Sequence, residues 1–532
     1  MYVRRLPLIV NSATRVLLEA SAPSAAFDSS ERYPPPECLA GTREAVIAQI
    51  VDALTGPNGR PICWVNGMVG LGKSALAQSI AHNFALRHRL AGSFFFSRAT
   101  TDHCSARRFL PTIAFQLTIS IPSLKPFILG ALDQDPSILS KALPYQFQQL
   151  IVGPLLQLPQ QLSSPMIVIV DALDECEDQH LVGAITEQIA QAQATANFPL
   201  RFLFTSRPEP HIREKFMTDE VVSITHSFAL QDFDARDDIR LFLRRRFANV
   251  YAARHRIMRA IPQPWPTEHD LETLVRRSSG LFIFASTLLK YVGDKSHNPS
   301  HRIKEIVRVD GPSTLSACAA LDLLYLQILS RACDIRALKL TLGYIICLFN
   351  PLPIEQIQIL LNVDCVDVSL IVEGLNSVLQ IPEETDKPVQ IFHESFRDFI
   401  IHPRRSDAYT INLSECHMAI ICSCLDLMAT QLKMNNDVIE DPGLSPSGAL
   451  HYACKYWAAH LSRVPMNNRL LDLLRKFGVE ALIMWIETCR LGNHLQASLR
   501  SLRQANGWLW RNALLLNDVC VRAMLSIICS WD

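Results

Sequence analysis

ICWVNGMVGLGKSALAQSIA, residues 62–81, decides how the chain is read. Its first four residues, Ile62–Val65, are an apolar run of strand length. The stretch then spells Gly67-x-x-x-x-Gly72-Lys73-Ser74 and enters a helical pattern over Lys73–Arg87. Strand, glycine-rich turn and helix in that order form a phosphate cradle. Gly67, Gly70 and Gly72 let the backbone turn tightly, so the amides from Gly67 through Met68, Val69, Leu71 and on to Ala75 can face anionic oxygens. The helix N-terminus adds partial positive charge. Lys73 is expected to reach the β- and γ-phosphates, and Ser74 to ligate Mg²⁺. The expected ligands are therefore ATP or ADP with Mg²⁺. GTP is not favoured, because no guanine-specific Asn/Thr-Lys-x-Asp element is evident.

About a hundred residues on, MIVIVDALDECED (166–178) delivers Asp171 to the end of the apolar run Met166–Val170. Open parallel sheets bind ligands at such strand ends. Asp171 is the expected second holder of Mg²⁺, and Asp174 or Glu175 can orient or deprotonate a water. A further strand, LRFLFTSRPEP (200–210), places Arg207 at the same edge, where it can sense a terminal phosphate as a bidentate partner.

Working outward, short apolar runs at Ser93–Phe96, Met166–Val170, Leu200–Thr205 and Val221–Ile224 alternate with helical windows such as Arg107–Ile119 and Leu181–Ala190. That alternation predicts an α/β P-loop NTPase fold, an AAA+-like parallel sheet with helices on both faces. Residues 20–37, rich in Ser, Ala and Pro, read as a linker. After residue 230 helices dominate, at Asp232–Val250, Thr267–Arg277 and Gly280–Tyr291. A smaller unit follows, with a strand at Val389–Phe392 and a helix at Glu394–Ile401, and the remainder is helical. The expected divisions are a stub and linker (1–37), the α/β domain (38–229), a helical subdomain (230–312), a winged-helix-like domain (313–410) and an all-α domain (411–532).

Bulk properties narrow the partners. Lys+Arg and Asp+Glu both number 51 among 532 residues, so no global charge draws the chain to nucleic acid or anionic membrane. The densest basic cluster, Arg244–Arg246, falls in a helical pattern and reads as a solvated face. The 15 cysteines sit in apolar stretches such as Ile345-Ile346-Cys347 and Ile527-Ile528-Cys529, which fits buried thiols in a reducing compartment. Cys416-His417 with Cys422 and Cys424 lacks paired CxxC spacing and reads as helix interior, not zinc. No uninterrupted apolar run reaches the length of a bilayer span, so a cytoplasmic protein without a stable membrane span is expected.

Together these motifs resemble the NACHT family of signal-transduction NTPases, in the STAND branch, over about residues 38–410. The stretch Asp171-Ala172-Leu173-Asp174-Glu175 carries the resemblance most specifically, with a small residue after the metal aspartate and paired acids beyond it. CLAGTREAVIAQI (38–50) looks like the family's segment near adenine, where Gly41, Thr42 and Arg43 match. QFQQLIVGPLL (146–156) has the look of fungal NACHT proteins. Gly280-Leu281-Phe282 resembles the family's Gly-Leu-Pro element, with Phe282 in place of Pro. Ile391-Phe392-His393-Glu394-Ser395-Phe396 resembles the winged-helix segment whose histidine, here His393, touches the β-phosphate of ADP.

What the resemblance implies is a nucleotide switch: closed with ADP, open and self-associating with ATP, and turning over slowly. Self-association through the NACHT domain, an unknown effector partner and a role in fungal innate or self/non-self recognition come with that implication. Family members carry an effector domain before this region and a repeat sensor after it, and the chain reads as truncated of both. Two other readings compete. A motor ATPase predicts basic pore loops and polymer-stimulated turnover. A non-hydrolysing scaffold is disfavoured by intact Lys73, Ser74 and Asp171.

Overall fold

Five apolar or amphipathic runs pair into one sheet: β1 (Ile62–Asn66), β2 (Leu90–Phe95), β3 (Met166–Asp171), β4 (Leu200–Ser206) and β5 (Thr225–Ala229). All pairings are parallel, in the order β2-β3-β4-β1-β5. This computed structural model describes residues 12–491, apart from 99, 161, 196–197, 309–316, 333, 363–364, 383 and 435–447, together with 501–505 and 507–508. Every residue of β1 and β3 is buried. Successive strand side chains point to opposite faces, so both faces of these strands must be covered. Helices Lys73–Leu86 and Ala106–Ser120 lie against the sheet. Aromatic rings fill one side, with Trp64 stacked on Phe216 at 4.4 Å and its Nε1 donating to Ser206 Oγ at 2.9 Å.

The expected strand at Val221–Ile224 is instead the end of a short helix, Asp219–Ser223, and β5 begins at Thr225. Val221 is buried from that helix, which explains its apolar signal. β5 is a partly exposed edge strand whose sequence THSFA carries no continuous apolar run.

Residues 20–37 also differ from the linker expected there. Helix Ser12–Ala20 is followed by 3₁₀ turns at Pro23–Ala25 and Ser30–Arg32, and Leu17 and Ala25 are fully buried. Backbone amides of this segment are claimed by the domain: Ala22 N–H donates to Thr112 Oγ1, Phe27 N–H to Ser93 Oγ and Cys38 N–H to Ser79 Oγ, at 2.8–3.0 Å. Small Ala and Ser residues allow that close approach, and the same composition mimics a linker. Residues 1–11 lie outside the described residues.

Two compact units divide the chain, Met1–Leu321 and Asp322–Asp532. In the first, helices Arg236–Ala253, Glu268–Ser278, Phe282–Gly293 and Pro299–Arg308 follow the sheet. Arg244 pairs with Glu268, and Arg245 donates to Ala40 O, so the basic cluster is a partnered helix face. The expected junction at 312/313 lies outside the described residues.

The second unit contains the short antiparallel pair β6 (Leu379–Gln380) and β7 (Gln390–Ile391) among helices, with Glu394–Ile400 following β7. Helix Leu413–Met434 packs with Gly448–Leu461 and Asn468–Glu480. Its Leu413–Leu432 portion is long and apolar enough to cross a bilayer. The demand for an uninterrupted apolar run overlooked it because isolated polar residues punctuate it. One of these is His417, in a buried polar chain. Phe349 N–H donates to Tyr452 Oη (3.0 Å), Tyr452 O–H meets His460 Nε2 (2.7 Å), and His460 Nδ1 meets His417 Nδ1 (2.8 Å). One proton is shared in the Nδ1–Nδ1 contact, with one imidazole donating and the other accepting, which suits a pair of neutral rings. Cys347, Cys422 and Cys424 are buried nearby, whereas Cys529 lies outside the described residues.

Burial, reinforced by Arg463 and Arg397, pushes His417 down to about 4, and burial together with His417 and Arg463 holds His460 well below its ordinary value. An unfolded chain protonates these histidines near their ordinary value, so it binds more protons than the fold as pH drops. The fold should therefore keep full stability above about pH 6.5 and lose on the order of 1–3 kcal/mol on approach to pH 4. Urea midpoints at pH 7.5 and 5 should show this loss, and His417→Phe/His460→Phe should flatten it. An equal slope in the double variant would count against the relay.

Candidate functional site

Three strand ends converge at the carboxyl edge of the sheet. β1 runs into the loop beginning at Gly67, whose N–H donates to Ser206 O at the end of β4 (3.3 Å). Gly70 and Gly72 adopt φ of +85° and +90°, a region open to glycine and strained for other residues. Lys73 begins its helix and folds Nζ back onto Gly67 O and Met68 O, at 2.7 and 2.9 Å. Burial lowers the Lys73 ammonium to about 8, opposed chiefly by the charge of Asp174.

Asp171, at the end of β3, is 2% exposed. Its carboxylate accepts from Thr205 Oγ1 at 2.5 Å, and the Ser74 hydroxyl lies near enough to favour its charged form. Burial raises its pKa, and both hydroxyls oppose that rise. The two expected Mg²⁺ holders thus stand side by side. Paired hard oxygen donors suit Mg²⁺, so Ser74 and Asp171 fit the ion they would hold.

Past Asp171 the backbone turns through Ala172 in the left-handed region (φ 54°), which favours a residue without β-branching. Asp174 then faces back to β4. Its Oδ1 accepts from Arg207 N–H at 2.9 Å, and its Oδ2 pairs with Arg207 Nε at 3.2 Å. Asp174 is buried, whereas Glu175 keeps partial exposure and accepts from Arg98 N–H at 3.1 Å. Arg98 Nη2 also donates to Asp174 O at 2.8 Å.

On the other side of the loop lies the turn before helix Phe282–Gly293. Ile283 N–H donates to Gly70 O at 3.2 Å, and a Cβ at Gly70 would lie 2.2 Å from Ile283 Cγ2. Phe282 approaches Gly72, and Arg43 places its guanidinium 5.1 Å from the Phe282 ring while donating to Leu71 O at 2.9 Å. Thr42 caps its own turn through Leu39 O. Among the expected site residues, the loop, Thr42, Arg43, Asp171, Asp174, Glu175 and Arg207 all belong to the first unit. His393 belongs to the second, where its Nδ1 accepts from Ser395 N–H at 3.1 Å and caps helix Glu394–Ile400.

Residues 41–207 match the family model described as Nephrocystin 3, N-terminal. That span runs from the turn before Arg43 to Arg207 and includes the loop and both acids. The match covers under a third of the chain and makes these residues similar to that N-terminal region. The helices after the sheet and the whole second unit lie outside the match.

Solved structures similar to this chain include a Signal Transduction ATPase with Numerous Domains protein with a tetratricopeptide repeat sensor, from Pyrococcus horikoshii. The identity is 12% and the TM-score 0.41, over 91% of this chain and 66% of that one. Drosophila ORC bound to poly(dA/dT) DNA and Cdc6 is similar at 10% identity and TM-score 0.22, over 99% of this chain and 76% of that one. No curated protein matches the chain.

Thr205 and Arg98 escaped the sequence reading. Arg98 follows β2 at the same sheet edge as Arg207, a position that could have signalled it. Thr205 becomes meaningful only once β4 is known to lie between β1 and β3. Besides holding Asp171, its Oγ1 accepts from Ala172 N–H at 3.1 Å. Thr205→Val preserves shape but orphans two buried groups, so it should lower stability by about 1–3 kcal/mol. A urea midpoint unchanged from wild type would show that the strand end does not depend on this hydroxyl.

Proposed function

We propose that this chain is an ATP/ADP-dependent signalling switch that binds nucleotide with Mg²⁺ at Gly67–Ser74 and hydrolyses ATP slowly. The observation that carries the reading is the double contact of the loop. Ser74 meets Asp171 on one side, and Gly70 receives Ile283 N–H on the other. A phosphate at the loop therefore touches both the acidic strand end and the start of a helix beyond the matched region. A ligand can shift a conformational equilibrium only through interactions that differ between its states. The Gly70–Ile283 contact offers such an interaction.

Lys73 would release its two loop carbonyls to a phosphate, which is a stronger acceptor for a cation. Ser74 and Asp171 would hold Mg²⁺, which supplies charge neutralisation at the phosphates. Glu175, the more exposed acid, would orient the attacking water. Asp174 would position Arg207 until a terminal phosphate draws that guanidinium away. Thr42 and Arg43 would lie towards the base, with Arg43 anchored by Leu71 O and Phe282. His393 would report on the β-phosphate from a winged-helix-like domain at 313–410. We further propose a nucleotide-binding domain at 38–229, a helical subdomain at 230–312 and an all-α domain at 411–532. Self-association through the NACHT domain, an effector partner, a cytoplasmic setting and a role in fungal innate or self/non-self recognition complete the reading. They rest on the resemblance.

Purified protein should retain ADP and turn over ATP far more slowly than once per second. Turnover at several per second, stimulated by a polymer, would instead indicate a motor. Lys73→Ala should abolish binding of a fluorescent ATP analogue, and normal affinity in that variant would refute the site. Asp174→Asn keeps an acceptor for Arg207 N–H but removes the ion pair. It should retain binding while lowering single-turnover hydrolysis roughly 10-fold or more, in line with an interaction made mainly in the transition state.

A further inference from the structure

The segment before the matched region brings a cation to the metal-side carboxylates. Residues 27–38 are fastened at both ends. Phe27 N–H donates to Ser93 Oγ on β2 (3.0 Å), and Phe27 O accepts from Gln78 Nε2 on the helix after the phosphate loop (2.7 Å). At the far end, Cys38 N–H donates to Ser79 Oγ (2.9 Å) and Glu37 meets His82 Nδ1 (2.8 Å). Between these anchors, the Arg32 guanidinium carbon lies 3.9 Å from the centroid of the Phe95 ring. Phe95 stands opposite Asp171 in the β2–β3 register. Residues opposite each other in neighbouring strands share a face, so Arg32 lies on the Asp171 face, one strand away.

The hydrogen bonding of this guanidinium is thin. Nη2 reaches Gln78 Oε1 at 3.4 Å, and the buried Nε has no hydrogen-bond partner among the described residues. Its electrostatic partners are Asp171 and Glu175, whose charges oppose the loss that burial imposes on the cation. A half-buried cation stacked on an aromatic ring, in the field of two carboxylates and with donors to spare, is there for its charge.

We propose that Arg32 is an internal counter-cation of the acidic strand end, a positioning residue that steadies Asp171 and Glu175 and opposes a divalent ion arriving at Asp171. This rests on the reading of Asp171 as a metal holder. It adds that residues 27–38 register metal occupancy, because an arriving ion repels the cation they carry. The segment lies outside residues 41–207, so this role is not part of the matched region.

The test is Mn²⁺ binding to the full chain without nucleotide, followed by the electron paramagnetic resonance of free Mn²⁺. Arg32→Gln should tighten Mn²⁺ roughly tenfold by removing a like charge. Arg32→Lys should restore wild-type affinity, which a merely structural arginine would not predict. Unchanged or weakened Mn²⁺ affinity in Arg32→Gln overturns the proposal. Asp171→Asn separates the two claims. If it binds Mn²⁺ like wild type, the metal-site reading itself fails. If it loses Mn²⁺ while Arg32→Gln matches wild type, only the counter-cation role fails. Should Arg32→Gln not fold, hydrogen exchange on the wild type decides. Mn²⁺ should speed exchange of amides in residues 27–38, and unaltered exchange there refutes the proposal.

Discussion

A single buried carboxylate sets the terms for the α/β domain. Asp171 sits almost out of reach of water, where a charge is expensive unless hydrogen-bonded. Its partners come from elsewhere in the sequence: Thr205 from the end of β4 and Ser74 from the start of the loop helix. Those partners can meet only because the strand order inserts β4 between β1 and β3. Sheet order, loop position and the burial of one acid are thus one constraint seen three ways. Around that acid, cations are arranged in depth. Lys73 and Arg32 are each desolvated, and each is kept charged by the same acidic strand end.

Much of this could be read from residues alone. β1 and β3 announce themselves as nearly continuous apolar runs, because parallel strands buried on both faces tolerate little else, and β2 and β4 show as shorter apolar stretches. The turn at Gly67–Ser74 was legible in its glycine spacing, and Gly70 and Gly72 take the positive φ that such a turn needs. The Gly67 loop, Asp171 and Arg207 follow the ends of β1, β3 and β4 at one sheet edge.

The rest was hidden for physical reasons. β5 is an edge strand and pays no toll in apolar content, so it left no run to find. Residues 20–37 fold through backbone N–H groups given to side-chain hydroxyls and a backbone carbonyl that accepts from the Gln78 carboxamide, a mode of attachment with no pattern of its own. Thr205 looked like any strand threonine until its neighbours were known. Asp174 and Arg207 were separately legible, yet their pairing depends on β3 and β4 being adjacent.

One contact has a mechanical meaning. Ile283 fills the space a side chain at Gly70 would need and bonds that residue's carbonyl. The glycine and the isoleucine therefore mesh like a tooth in a gear, with less than a methyl group of slack. Any rotation of the Gly70 peptide must either break that bond or carry the end of helix Phe282–Gly293 with it. A glycine usually credited with flexibility is here the rigid point of a linkage, and its missing side chain is what lets the two parts engage.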